Sequence, residues 1–301
     1  MSIRPDQPAS PLTITAMPRY RAQPDHGNAP PLLARSRLRP LTARHCSMPA
    51  EPLARDLLGR YLVRHLPAPF APMHGPAGPP PHAAGGAAGN NTGVRVGAGP
   101  APGLPAASAA VPGSEPLVLR IVETEAYLGR TDPASHTFGG RRTPRTETMY
   151  RAGGHAYIYL IYGMHHCLNV VSGPEGHGEA VLIRAGAPVA GAERMAALRG
   201  VATAEGSGVA NGARTRGVRP GDLAGGPGRL CQALGLDRTL DAVDLLDPAS
   251  PLQLTEGEPV TDEHEIVRGP RIGIGYAGDA VHWPLRFALR NHPEMSRPRL
   301  K

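Results

Sequence analysis

The chain is nearly without lysine. Of its 32 lysines and arginines only Lys301 is a lysine, leaving 31 arginines. Chemistry that runs through a lysine Schiff base therefore has no candidate amine inside the body of the sequence. Aromatic residues are scarce too, at 4%. Cysteines number three, Cys46, Cys167 and Cys231, and none forms a Cys-x-x-Cys pair. That argues against a disulfide framework or a zinc knuckle and fits a reducing, bacterial-type cytoplasm. Long apolar runs are missing: none reaches the roughly 20 residues needed to cross a bilayer. The first residues carry an early arginine but no apolar core of a signal peptide. No membrane role is expected.

Glycine (38), proline (35) and positive charge are abundant, with a formal net charge of +7 and a pI near 9.8. Residues 1–45 hold Arg4, Arg19, Arg21, Arg35, Arg37, Arg39 and Arg44 against Asp6 and Asp25, which is +5 of the total (7 − 2). They read as a disordered basic tail. Residues 67–115 are mostly Pro, Gly and Ala with little charge, too poor in apolar surface to order themselves, and read as a disordered insert. Residues 200–224 read as a flexible loop and 291–301 as a C-terminal tail. Outside the basic tail the charge is close to balanced, so a polyanion would be met through a local patch.

The remaining segments fall into short elements. Leu53, Leu57, Leu58, Tyr61 and Leu62 recur at helical spacing and predict a helix over 50–64. Strands are expected at 117–127, 156–162, 165–172 and 179–185, helices at 190–199 and 228–236. Strand-like runs follow at Arg271–Gly275 and Pro284–Leu289. One helix followed by strands in hairpins argues for an α+β fold.

Two stretches carry chemistry. In Arg120-Ile-Val-Glu-Thr-Glu-Ala-Tyr127, alternation puts Glu123, Glu125 and Tyr127 on one face and Val118, Val122 and Ala126 on the other. A carboxylate beside a ring near a strand end can hold and deprotonate a water. Glu-x-Glu is also common on solvated strand edges, so the pair alone decides nothing. In Tyr157-Ile-Tyr159-Leu-Ile-Tyr162-Gly-Met164, two tyrosines share a face and a third sits at a hairpin corner. Exposed aromatic tips serve as wedges on nucleic acid. Between the two lie His136 and the arginines Arg141, Arg142 and Arg145, candidate phosphate contacts. His165-His166-Cys167 are neighbours on a strand and point to opposite faces, which works against a shared metal.

Taken in order, Glu123-Thr-Glu125-Ala-Tyr127, Ala134-x-His136, Thr143-Pro-Arg145, Tyr159-x-x-Tyr162-Gly-Met164 and Leu182-x-Arg184-Ala185 resemble the alkyladenine (3-methyladenine) DNA glycosylase family of base-excision repair. The resemblance covers 53–64, 119–188, 226–245 and, more loosely, 271–289. It implies a single mixed α+β domain over 46–290, with a curved antiparallel sheet flanked by helices and a protruding DNA-inserting β-hairpin. It implies a hydrolase acting as a monomer on duplex DNA with alkylated or deaminated purines, without metal or other cofactor. Glu125 matches the general base and Arg184 an arginine that holds the water. Tyr127, His136 and Tyr159 match the residues that sandwich the extruded base, and Asn169 one that disfavours the amino group of guanine. Tyr162 matches the gap-filling tyrosine, flanked by Met164. The lysine count adds that the strand would be left uncut at an abasic site. Two other readings stay open, a non-catalytic damaged-DNA-binding protein and a hydrolase of RNA or free nucleosides.

Overall fold

The computed structural model describes residues 38–67, 115–201, 209–210, 213–214, 219 and 221–301. The segments read as tail, insert and 200–224 loop therefore lie largely outside the described residues. The first half contains α1 (Ala43–Cys46), α2 (Ala50–Asp56), β1 (Tyr61–Arg64), β2 (Leu117–Tyr127), β3 (Ala156–Ile161), β4 (His165–Ser172) and β5 (Glu179–Ala190). The second contains α3 (Ala192–Arg199), β6 (Val209–Ala210), β7 (Ala213–Arg214), α4 (Pro227–Ala233), β8 (Leu252–Thr255), β9 (Ile266–Gly269) and β10 (Arg286–Leu289). The architecture is the expected α+β arrangement, an antiparallel sheet with a few short helices against it.

The sheet runs β3-β4-β5-β2-β1-β8, with β10 on β2 and β9 on β10. β2 organises it. One edge pairs with β5 along most of its length. The other edge is shared: Leu117–Arg120 pair with β1, and Glu123–Glu125 pair with β10. Where β1 leaves and β10 arrives, the β2–β5 ladder slips twice. Ile121 faces Gly186, Glu123 faces Ala185 and Thr124 faces Ile183. Val122 is thus an extra residue on β2, and Arg184 is an extra residue on β5. Paired bulges restore the register while re-aiming the side chains between them.

The first bulge also corrects the face assignment. Leu117, Leu119 and Ile121 join the main core cluster together with Val122 and Ala126, whereas Val118 does not. Parity inverts at the bulge, so the alternation expected of an unbroken strand holds only from Val122 onward. There, Thr124 Oγ1 donates to the Ala54 carbonyl of α2 at 2.7 Å, and Glu123 and Glu125 point to the opposite side.

The helix expected over 50–64 is α2 followed by a turn and β1. Gly59 breaks it with φ 84°. A Cβ there would lie 1.9 Å from the Glu258 carbonyl oxygen, so only glycine fits. The leucines looked continuous because α2 and β1 bury their apolar residues in the same core. Arg271–Gly275 is loop rather than strand, and the strand lies just upstream as β9. β8, not anticipated, completes the sheet beside β1. Order also reaches into the segment read as tail, where Leu41 is 2% exposed and its N–H donates to Leu254.

Leu62 sits on β1 with no exposed surface, between β2 and β8. Leu62→Ala is expected to lower unfolding free energy by about 2–5 kcal/mol, measured by denaturant titration. A surface leucine in a helix would cost far less.

Candidate active site

The bulges bring four buried charges together. Arg184 Nε donates to Glu123 Oε1 at 3.0 Å, and its Nη1 lies 3.1 Å from Glu125 Oε1. Arg286, arriving on β10, donates from Nε to Glu123 Oε1 at 2.6 Å. Two acids and two bases make the cluster neutral, and Glu123 and Glu125 have no exposed surface. A single unpaired charge here would be strongly destabilising.

Glu125 takes two further donors, the Tyr127 hydroxyl at 2.9 Å and the Ile272 N–H at 2.7 Å. Burial raises the Glu125 pKa, and Arg184, the Ile272 N–H and the Tyr127 hydroxyl oppose that rise. Burial and the adjacent Glu125 carboxylate push Tyr127 far up, so it stays a donor. Burial works against the charge on Arg184, but Glu125 and Glu123 outweigh it and raise its pKa.

A second buried pair lies against the ring of Tyr127. Arg271 grips Asp132 with both terminal nitrogens and places its guanidinium 4.7 Å from the Tyr127 ring centroid. Asp132 also accepts from the Leu128 and Ala134 N–H groups. It therefore shapes the turn that delivers His136 and anchors the loop that delivers Ile272.

These elements enclose a cavity of about 520 Å³. Its lining includes Tyr127, His136, Tyr157, Tyr159, Asn169 and Arg184. Five of the eight tyrosines of the chain, Tyr127, Tyr157, Tyr159, Tyr162 and Tyr276, line this one space. His136 meets Tyr159 edge-on at 4.7 Å, and its Nδ1 is 2.9 Å from the Tyr157 hydroxyl. Burial, with help from Arg145 and Arg141, lowers the His136 pKa to about 4, so the ring is neutral at neutral pH. Asn169 spends one amide hydrogen on the Tyr157 carbonyl at 3.1 Å.

β3 and β4 form a hairpin with its tip at the cavity mouth. The Met164 N–H bonds the Ile161 carbonyl, and the two residues between, Tyr162 and Gly163, have φ 55° and 70°. Positive φ is routine for glycine but costs a bulky residue on the order of 1 kcal/mol or more. The strained Tyr162 is 79% exposed and Met164 67%. Hydrophobic burial does not explain either residue.

The three arginines differ. Arg142 is committed to Glu147 through two nitrogens. Arg145 lines the cavity with its guanidinium 5.5 Å from the Tyr159 ring. Arg141 is exposed. Sequence reasoning missed Arg286, Ile272 and Tyr276. The strand-like reading of Arg271–Gly275 hid Ile272, although Gly273 and Gly275 signalled a loop, and Tyr276 follows directly after that run. Among the described residues no group of three or more His, Cys, Asp or Glu is placed to hold a metal ion.

Comparison with known proteins gives this geometry a context. The sequence profile of the family described as methylpurine-DNA glycosylase (MPG) matches residues 109–293. A protein of Bacillus mycoides (strain KBAB4), provisionally named a 3-methyladenine DNA glycosylase, is 44% identical over 178 residues, 59% of this chain and 82% of that protein. Proteins of the same provisional name from Bacillus cereus (strain ZK / E33L) and Bacillus thuringiensis (strain Al Hakam) show the same identity and coverage. The chain belongs to the methylpurine-DNA glycosylase family, whose members are DNA-repair hydrolases of N-glycosyl bonds.

Proposed function

We propose that this chain rotates alkylated or deaminated purines out of duplex DNA and hydrolyses their N-glycosidic bond with a water activated by Glu125. The observation that carries the reading is the Arg184–Glu125 pair directly behind the wall of a tyrosine-lined cavity, beneath a strained, exposed tyrosine. Extruding a base costs a few kcal/mol, least for a damaged base. Tyr162 stacked in the vacancy offsets that by about 1–3 kcal/mol. Met164 flanks it, and exposed Arg141 is free to meet phosphate; Arg145 must first leave the Tyr159 ring. Arg142 must first leave Glu147.

In the cavity Tyr127, His136 and Tyr159 would hold the base between them, with Asn169 at its edge. Neutral His136 can accept from the Tyr157 hydroxyl at Nδ1, which leaves the ring proton on Nε2 as a donor to the base. Cleavage of the C1′–N bond sends its electron pair out with the base and develops oxocarbenium character on the sugar. Ionised Glu125 stabilises that charge. A water oxygen bonds to C1′ and its proton passes to Glu125. Since Glu125 has no exposed surface, this water must displace one of its donors. The Tyr127 hydroxyl is the one that can turn aside: the Ile272 N–H is fixed backbone, and Glu123 holds Arg184.

The product is an abasic site in an intact strand, because the only lysine, Lys301, lies outside the site. Methylated duplex DNA incubated with enzyme and chelator is expected to lose alkylated purine while the strand stays whole and borohydride traps no adduct. Glu125→Gln is expected to slow release by about 10²–10⁴-fold and to keep duplex binding. Lesion binding without release by the wild type would replace hydrolysis by recognition alone.

The raised Glu125 pKa fixes the sign of the pH dependence. The base works only when ionised, so activity falls as pH drops through a value above the ordinary carboxylate range. His136, lowered to about 4, remains neutral across that fall. A single-turnover pH profile with an acid limb at or below the ordinary range would contradict this. Tyr162→Gly separates strain from wedging: it is expected to leave unchanged or raise the melting temperature, while lesion-duplex affinity drops by about 1–3 kcal/mol.

A further inference from the structure

The segment after β10, read from sequence as a tail, is tied into the four-charge cluster. Ser296 is 5% exposed. Its N–H donates to Glu123 Oε2 at 2.6 Å. Its hydroxyl lies 2.8 Å from Glu123 Oε1 and 3.3 Å from Arg184 Nη2. A serine hydroxyl has one proton, so it donates to the carboxylate and accepts from the guanidinium. Arg286 Nη2 meanwhile donates to the Ser296 carbonyl at 3.3 Å and the Pro298 carbonyl at 2.8 Å.

The segment has its own anchors. Met295 packs with Val267 and Ala288 of β9 and β10, and with Leu300. The Glu294 carboxylate accepts from the Gly221 N–H at 2.6 Å. The family profile ends at residue 293, so Ser296 lies beyond the matched span.

We propose that Ser296 is a positioning residue for Arg184, carried by a strap of residues 291–300 that closes the back of the site. Each nitrogen of the Arg184 guanidinium then has a different partner: Nε has Glu123, Nη1 has Glu125 and Nη2 has Ser296. A planar fork held at three points cannot swing, so Nη1 is kept on Glu125. Without the Ser296 hydroxyl, Nη2 is left buried with no acceptor, and the plane is free to tilt toward water in the cavity. Arg184 would then hold the Glu125 anion less firmly.

The inference rests on the reading that Arg184 and Glu125 activate the water. The groups facing Glu125 are Arg184 on β5, Glu123 and Tyr127 on β2, Tyr159 on β3, Cys167 on β4, Arg286 on β10 and the Ile272 N–H. Ser296 touches three of these, Arg184, Glu123 and Arg286, and not Glu125 itself.

The test uses full-length wild type, Glu125→Gln, Ser296→Ala, Ser296→Thr and Met295→Ala. It reads single-turnover purine release from methylated duplex against pH, duplex affinity and melting temperature. Ser296→Ala is expected to slow release about tenfold, the size of one charge-assisted hydrogen bond. Its affinity should stay within about twofold of wild type, and its acid limb should move to higher pH. Ser296→Thr, which keeps the hydroxyl, should recover most of the rate and the original limb. Met295→Ala loosens the strap but keeps the hydroxyl; it should lower the melting temperature and leave the limb in place. If Ser296→Ala does not fold, Ser296→Cys, which keeps the volume with weaker hydrogen bonds, carries the same comparison. An active wild type, an inactive Glu125→Gln and an unmoved limb in the serine variant would overturn the proposal. A rate loss without a limb shift would do the same, since it would mark a purely structural serine. Full activity in Glu125→Gln would instead sink the underlying assignment of Glu125.

Discussion

Arg184 is the residue on which the rest of the site depends, and it can act as it does because it stands outside the ladder. In a regular antiparallel pair its side chain would face a single partner across β2. As the extra residue of a bulge it reaches two carboxylates on the same face, Glu123 at 3.0 Å and Glu125 at 3.1 Å. Taking these charges from water carries a penalty of several kcal/mol each, which Coulomb attraction repays only with full hydrogen bonding. Glu123 meets that condition, with donors from Arg184, Arg286 and both the N–H and hydroxyl of Ser296. Glu125 has fewer, and one of them is a hydroxyl that can turn away. The two glutamates are thus divided by environment: one is saturated with donors, the other is buried with a raised pKa and fewer donors.

The same logic places both buried ion clusters against Tyr127, Glu125 at its hydroxyl and Arg271 at its ring. The Arg184 cluster fixes the strand that carries it, while the Arg271–Asp132 pair fixes the turn and the loop that flank it. The cavity wall is therefore assembled from distant parts of the chain, yet each part is tied to a charge with no freedom to move alone. The hairpin tip is the opposite case. Tyr162 is exposed and strained, with only its turn to hold it. Stability is concentrated in the buried wall of the cavity and is given up at the exposed ring of the hairpin tip.

Much of this was legible in the sequence because it is local. The alternation of Glu123, Glu125 and Tyr127 survives from Val122 onward, and the Tyr-Gly pair marks the hairpin turn that it forms. The bulges were not legible. They arise because β2 must serve β1 and then β10 on one edge, a requirement set by segments far away in sequence. For the same reason the leucines of α2 and β1 imitated one helix: both elements face one core, and the glycine that separates them is needed for its positive φ and because the Glu258 backbone crosses there. Arg286, Ile272 and Ser296 lie 163, 147 and 173 residues from the carboxylates they bond. No local pattern announces such contacts.

The cavity also limits how a base can be recognised in it. Tyrosine faces attract cations, which would favour a cationic alkylated purine. Yet the Tyr127 ring already has the Arg271 guanidinium at 4.7 Å and the Tyr159 ring has Arg145 at 5.5 Å. A face polarised toward a resident cation has less left for a second one. His136 is held neutral, which avoids a third. The rings are therefore better suited to stacking and shape than to gathering positive charge, and for a cationic base the neighbouring arginines raise the energy of the bound state. That energy falls as charge moves from the base to the sugar when the glycosidic bond breaks. On the proposed reading the anion that would meet the new charge is Glu125, which takes the Tyr127 hydroxyl while Arg271 lies against the ring. With a base in the cavity, arginines near it and a carboxylate near the sugar would favour the redistribution of charge along the bond, the step that catalysis must accelerate.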